Sequence, residues 1–167
     1  MYANLLKIYS GQAMKKFSDK VVWITGASSG IGYELAKSFY EEGAFLAISA
    51  RRLERLQDLQ RILGSRAKVY KLDVQNKDQV FITAQNIVND FGKLDIVIAN
   101  AGYSVVGPFV STQETVWRRL FDTNVFGAIW TLQAAIPYLK LTKGSIGIMS
   151  SIAGKIGRGD IINAVVI

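Results

Sequence analysis

The chain has 167 residues, half of them hydrophobic and a fifth charged, and contains neither cysteine nor histidine. That is enough apolar material for one packed domain, and it excludes a disulfide framework, a thiol nucleophile, a zinc–thiolate site and imidazole acid–base chemistry. The net charge is +7, and much of it lies between residues 51 and 71, where Arg51, Arg52, Arg55, Arg61, Arg66, Lys68 and Lys71 face only Glu54 and Asp58. A field of that sign favours an anionic ligand. No basic motif interleaved with aromatics accompanies it, so no nucleic-acid partner is expected, and a solvated helix face is the commoner reading of such a cluster. No apolar run approaches the ~18 residues of a membrane span, and the first residues lack the apolar centre of a signal peptide. A soluble, cytoplasmic chain is expected. It divides into an N-terminal extension over 1–14, with Met14 as a possible true start, one domain over 15–157, and a tail over 158–167.

Apolar runs of strand length then alternate with stretches of helical period. Residues 21–25 (VVWIT) form a short apolar run ending in a glycine turn, which predicts a buried strand. Ile31, Leu35 and Phe39 mark a helix that stops at Gly43. Residues 45–49 predict a second strand. Leu53, Leu56, Leu59 and Leu63 predict a second helix ending at Gly64. A third strand over 69–73 and a third helix over 77–91 follow, then a fourth strand over 94–99. A loop with Gly102, Gly107 and Pro108 leads to one long helix over about 113–139, and residues 145–151 predict a fifth strand. Such alternation with short links specifies βαβ units and a mainly parallel sheet, for which the doubly wound arrangement is the commonest solution.

The segment TGASSGIG, residues 25–32, sits between the first strand and the first helix. Gly26, Gly30 and Gly32 let the chain turn sharply and allow a phosphate to approach the backbone. Thr25, Ser28 and Ser29 add hydroxyls, and the helix that opens at Ile31 adds free N–H groups and a positive dipole end. Together they predict a pyrophosphate cradle.

The spacing T-G-x-x-x-G-x-G differs from the common G-x-G-x-x-G and resembles that of the short-chain dehydrogenase/reductase family. Four further segments resemble that family in order: Asp73-Val74, Asn100-Ala101-Gly102, Asn124-Val125-Phe126-Gly127 and Ser150-Ser151. The resemblance runs from residue 20 to about 158. It implies a Rossmann-type doubly wound α/β fold, here incomplete at about five strands, that moves a hydride between nicotinamide and a small carbonyl or alcohol substrate. It also implies an adenine contact for Asp73 with Val74, a cofactor wall at Asn100, Ala101 and Gly102, and active-site roles for Asn124 and Ser151. An alternative for Asp73 is a cap on its own strand, and Asn100 could serve only to tie neighbouring strands. Family members are often homo-oligomers through helices beside the fifth strand.

At the end of the second strand a carboxylate would hold the ribose hydroxyl of NAD, whereas an Arg accommodates the 2′-phosphate of NADP. Here the chain reads Ser49-Ala50-Arg51-Arg52. A guanidinium fork at Arg51 or Arg52, assisted by Ser28, favours NADP(H) over NAD(H).

The family's proton donor is a Tyr about a dozen residues after the Ser, with a Lys four residues beyond it. After Ser151 this sequence has no Tyr, Ala164 stands thirteen residues on, and its one Lys, Lys155, comes too early. Tyr103 and Tyr138 stand at neither required position. A truncated reading frame, a frameshift and a divergent end would each explain the departure after residue 157. The expectation is an impaired oxidoreductase, or alternatively a non-catalytic NAD(P)-binding module, whose fifth strand is left as an apolar edge.

Overall fold

A computed structural model describes residues 15–151. The extension over 1–14, the residues from 152 onward with Lys155, and the tail over 158–167 lie outside the described residues.

Five strands form one parallel sheet: β1 (Val21–Thr25), β2 (Phe45–Ala50), β3 (Ala67–Lys71), β4 (Ile96–Ala99) and β5 (Ser145–Ile148), in the order β3-β2-β1-β4-β5. Every residue of β1 is buried because helices cover both faces. Alternate side chains therefore serve two separate cores. Val22, Ile24, Leu46 and Ile48 pack with residues of α1 (Gly30–Glu41) and α2 (Leu53–Leu63). Val21, Trp23, Ala47 and Val97 pack with residues of α3 (Lys77–Phe91) and α5 (Gly127–Thr142). Among the described residues no helix is long and apolar enough to cross a membrane.

The helix phases differ from the predicted stripes at their starts. In α1 the buried positions are Gly32 and Ala36, with Leu35 and Phe39 partly buried beside them, and Ile31 is 58% exposed. The close seat of Gly32 turns the first turn of the helix so that Ile31 faces outward. In α2, Leu56, Leu59 and Leu63 are buried as the period requires. The third helix has both ends signalled in sequence. The Asn76 side chain accepts the Gln79 N–H at 3.0 Å, and Gly92 ends the helix with a φ of +78°.

The single helix expected over 113–139 is built differently. It comprises α4 (Glu114–Phe121), a π-helical turn over Asp122–Phe126, and α5. Gly127 N–H reaches five residues back to Asp122 O. A Cβ at Gly127 would lie 2.7 Å from Val74 Cγ2, so the widened turn seats α5 directly on the segment after β3. The third strand lies two residues earlier than predicted, ending at Lys71, and the fifth is shorter than predicted, ending at Ile148. One more bond continues each ladder, Leu72 N–H to Ala50 O at 3.0 Å and Met149 N–H to Ala99 O at 3.0 Å, before the chain turns away.

The sheet is fastened at the end opposite those turns. The Asp95 side chain, 4% exposed, accepts Val21 N–H at 2.9 Å, Lys20 Nζ at 3.0 Å and Lys93 Nζ at 3.2 Å. Its carbonyl accepts Ser145 N–H at 2.9 Å, so this residue joins β1, β4 and β5. In the sheet centre, the buried Trp23 indole donates to Ser49 Oγ at 2.9 Å. On its outer side β5 pairs with no strand among the described residues, and Ile146 and Ile148 are exposed there.

Candidate dinucleotide-binding crevice

The strand order reverses between β1 and β4. The helices that follow these strands leave to opposite faces, which opens a crevice at the carboxyl ends, where open α/β sheets bind ligands. The cavity there is about 670 Å³.

Its floor is a hydrogen-bonded lock between β1 and β4. Thr25 Oγ1 accepts the N–H groups of Asn100 and Ala101, both at 3.1 Å. Asn100 Nδ2 donates back to Thr25 O at 2.9 Å and to Gly26 O at 3.3 Å. The tie between strands, one of the two roles open for Asn100, is thus present, and Asn100 also lines the cavity. Two glycines follow from this packing. A Cβ at Gly26, where φ is +69°, would lie 2.7 Å from Ala101 Cα, and one at Gly32 would lie 2.4 Å from Asn100 Nδ2. Gly32 is therefore buried beneath the crevice and does not line it. Gly30 is different. Its φ is +60°, yet a Cβ there would meet no protein atom within 4 Å, so its side faces open space.

One end of the crevice is cationic. Arg52 Nη2 donates to Ser28 Oγ at 3.0 Å and to Ser29 Oγ at 2.7 Å, and Nε donates to Ser28 Oγ at 3.3 Å. This places the guanidinium at the mouth, against the glycine turn. Arg51, Ile31 and Asp73 line the same end. Asp73 Oδ1 accepts the Gln75 N–H at 3.1 Å, so the residue stabilises its own turn just past β3. Val74 is buried beside it.

The other end holds Gly102, Asn124 and Ser151. Asn124 lies inside the π turn. Its Oδ1 accepts Tyr103 N–H at 3.1 Å and its Nδ2 donates to Tyr103 O at 2.8 Å. Gly102 runs beneath this clasp, since a Cβ there would lie 3.3 Å from Asn124 Oδ1. Ser151 follows β5 and is exposed to the cavity. Tyr138 does not line the cavity, and its hydroxyl donates to Gln85 Oε1 at 2.7 Å.

Every predicted site residue except Thr25 and Gly32 thus lines one cavity; Thr25 is buried with its hydroxyl held in the lock with Asn100 and Ala101, and Gly32 shapes the floor. Thr123 and Tyr103 also line it, and no sequence signal marked them. The one pointer was Asn124 itself, an amide with poor helix propensity in a helical stretch. Among the described residues no cluster of acidic side chains suits a metal ion.

Known proteins agree with this architecture. The family model of short chain dehydrogenases matches residues 20–163. The chain is 37% identical over 145 residues to an uncharacterized oxidoreductase of Staphylococcus saprophyticus, covering 86% of this chain and 59% of that protein. It is 38% identical over 154 residues to 11-beta-hydroxysteroid dehydrogenase 1A of Arabidopsis thaliana, covering 89% and 44% of the two chains. The crystal structure of a short-chain type dehydrogenase/reductase from Mycobacterium marinum superposes with a TM-score of 0.83 at 32% identity, over 90% of this chain and 63% of that one. The chain thus spans about half the length of the curated relatives it matches. With the parallel five-stranded sheet, the glycine turn and the ordered segments through Ser151, these matches establish that the chain belongs to the short-chain dehydrogenase family.

Proposed function

We propose that the crevice binds NADP(H) in preference to NAD(H), and that the protein belongs to a reaction in which a hydride passes between the nicotinamide and a small carbonyl or alcohol. The carrying observation is Arg52, held on Ser28 and Ser29 at the open mouth of the crevice, with no carboxylate at the end of β2. A planar fork already oriented there suits a ribose 2′-phosphate, and Arg51 adds charge beside it.

The cradle fits the rest of a dinucleotide. Gly30 leaves room for a phosphate against the first turn of α1, where the backbone N–H groups point outward. Asp73 and Val74 would take the adenine, with Asn100, Ala101 and Gly102 as the wall beneath the ribose and nicotinamide. When bound, the nicotinamide supplies or accepts the hydride. Ser151 would donate a hydrogen bond to the substrate oxygen and so stabilise charge that grows there. Asn124 would hold the rim through Tyr103.

The oxygen must also gain or lose a proton, and a serine hydroxyl is a poor acid. Within these 167 residues no Tyr-x-x-x-Lys unit follows Ser151. Loss of a positioned acid–base group lowers turnover by roughly 10²–10⁴-fold, so this chain alone should bind cofactor and reduce substrates slowly or not at all. The same observation supports the second reading, a binding module without catalysis. Titration with NADPH and NADH, followed by NADPH oxidation with a panel of small aldehydes and ketones, tests both. Saturable binding with NADPH the tighter ligand is expected. Tighter NADH binding overturns the cofactor assignment, and rapid turnover would exclude the module.

A further inference from the structure

The segment after β3 touches the π turn at two points. Val74 packs on Gly127, where no Cβ fits. Gln75 Nε2 donates to Thr123 Oγ1 at 2.6 Å, and Thr123 is buried, immediately before Asn124. The Thr123 hydroxyl donates in turn to Arg119 O at 3.0 Å. Its one hydrogen is thus committed to Arg119, and it receives Gln75 through a lone pair. Gln75 also reaches the other end of the crevice, because its own N–H is held by Asp73 Oδ1. A continuous path therefore runs from Asp73 through Gln75 and Thr123 to Asn124 and the Tyr103 backbone, and Asp73, Thr123, Asn124 and Tyr103 line one cavity.

We propose that Gln75 is a positioning residue that holds the π turn, and through it the Asn124–Tyr103 clasp, in register with the Asp73 end of the crevice. Its meaning for catalysis rests on the dinucleotide reading above. A π turn is a widened helical segment, and such turns concentrate at functional sites. The widened turn needs an external fastening to hold one side chain in one place, and the Gln75 amide supplies it at Thr123.

Amide hydrogen exchange on the nucleotide-free chain reads the clasp directly at the Tyr103 N–H. Loss of one hydrogen bond of ordinary strength corresponds to about a tenfold change in a local opening equilibrium. Gln75→Ala and Thr123→Val should each speed Tyr103 exchange by about tenfold, and the double variant should be no faster than either single one. Thr123→Ser, which keeps the hydroxyl, should retain the original rate. Exchange at Trp23 and Ile24 in β1 should not change, which separates positioning from general loosening. Unaltered Tyr103 exchange in both variants overturns the proposal, as do additive effects in the double variant or an equal rise in β1. Because no nucleotide is present, failure of NADPH to bind counts against the dinucleotide reading alone and leaves this result to stand by itself.

Discussion

Replacing Arg52 by Ala tests the cofactor assignment where it is most exposed to error. The guanidinium is already oriented by three hydrogen bonds to Ser28 and Ser29, so little rotamer freedom remains to be lost on binding. Ser29 is exposed and Ser28 only half-buried, so both stay within reach of water and the removal leaves no buried group unpaired. A phosphate carrying about −1.5 to −2 charge attracts a unit charge 4 Å away by about 2 kcal/mol at the dielectric of water. Hydrogen bonds to a charged partner are worth roughly 1.5–3 kcal/mol. These two figures describe one contact and overlap, and the exposed site is screened by salt. A loss of about 2 kcal/mol in NADPH binding is therefore expected, close to thirtyfold in Kd. NADH offers a neutral hydroxyl at the same place, and its affinity should fall by less than about fivefold. Arg52→Lys should lie between, because the charge stays and the fork is lost. Fluorescence titration of both cofactors at low and high salt gives the ratio. An equal loss for NADPH and NADH on Arg52→Ala would refute the reasoning. Collapse of the ratio in Arg51→Ala instead would move the phosphate seat to the neighbouring side chain.

Burial pushes the Asp95 carboxyl up, but the Val21 N–H and the two lysine ammonium groups outweigh it and hold the carboxyl below its ordinary value. With the folded pKa below the unfolded value of about 3.9, the stabilisation is present above that pH and is lost as pH falls through the folded value. Asp95→Ala orphans the Val21 N–H, which costs about 1–3 kcal/mol, while the half-exposed lysines add at most ~1 kcal/mol. Urea unfolding should show that deficit at neutral pH and a shrinking one below about pH 4, and a deficit constant down to pH 3 would contradict it. Ser49→Ala leaves the buried Trp23 indole N–H without its acceptor and should cost about 1–3 kcal/mol. A midpoint unchanged in the same assay, followed by tryptophan fluorescence, would show that the indole finds another partner.

The parts legible in sequence were those fixed by covalent or steric necessity. The glycine turn could be read because Gly26 and Gly30 have positive φ and no Cβ fits at Gly26 or Gly32. The strands could be read because β1 and β2 are buried on both faces and so carry unbroken apolar runs. The fork could be narrowed only to Arg51 or Arg52, since adjacent side chains differ in direction and not in chemistry. The structure places the hydrogen bonds to Ser28 and Ser29 on Arg52. The π turn was not legible. It depends on Gly127 meeting Val74 across the fold, a contact between residues 53 positions apart that no local period records. The outward turn of Ile31 is of the same kind, because the depth of Gly32 against Asn100 sets the rotation of α1.

The two ends of the crevice are held by different means, and this bears on what the chain can do alone. The cationic end rests on strand ends and on the Thr25–Asn100 lock, with polar partners supplied by residues 25–101. The opposite end rests on side-chain bonds from a π turn to a loop whose Val106, Phe109 and Val110 are exposed apolar groups. Phe109 meets Trp117 at 5.2 Å between ring centres, but Val110 is 95% exposed. If the proposed dinucleotide reading holds, binding energy for a phosphorylated adenosine should reside in the well-fastened end, and the geometry of hydride transfer in the loosely fastened one. Affinity tolerates small displacements because charge and area act over several ångströms. Transfer does not, since a misplacement of about 1 Å can cost on the order of 100-fold. On the proposed reading, cofactor affinity and turnover should therefore be separable, and Gln75→Ala should lower the second more than the first.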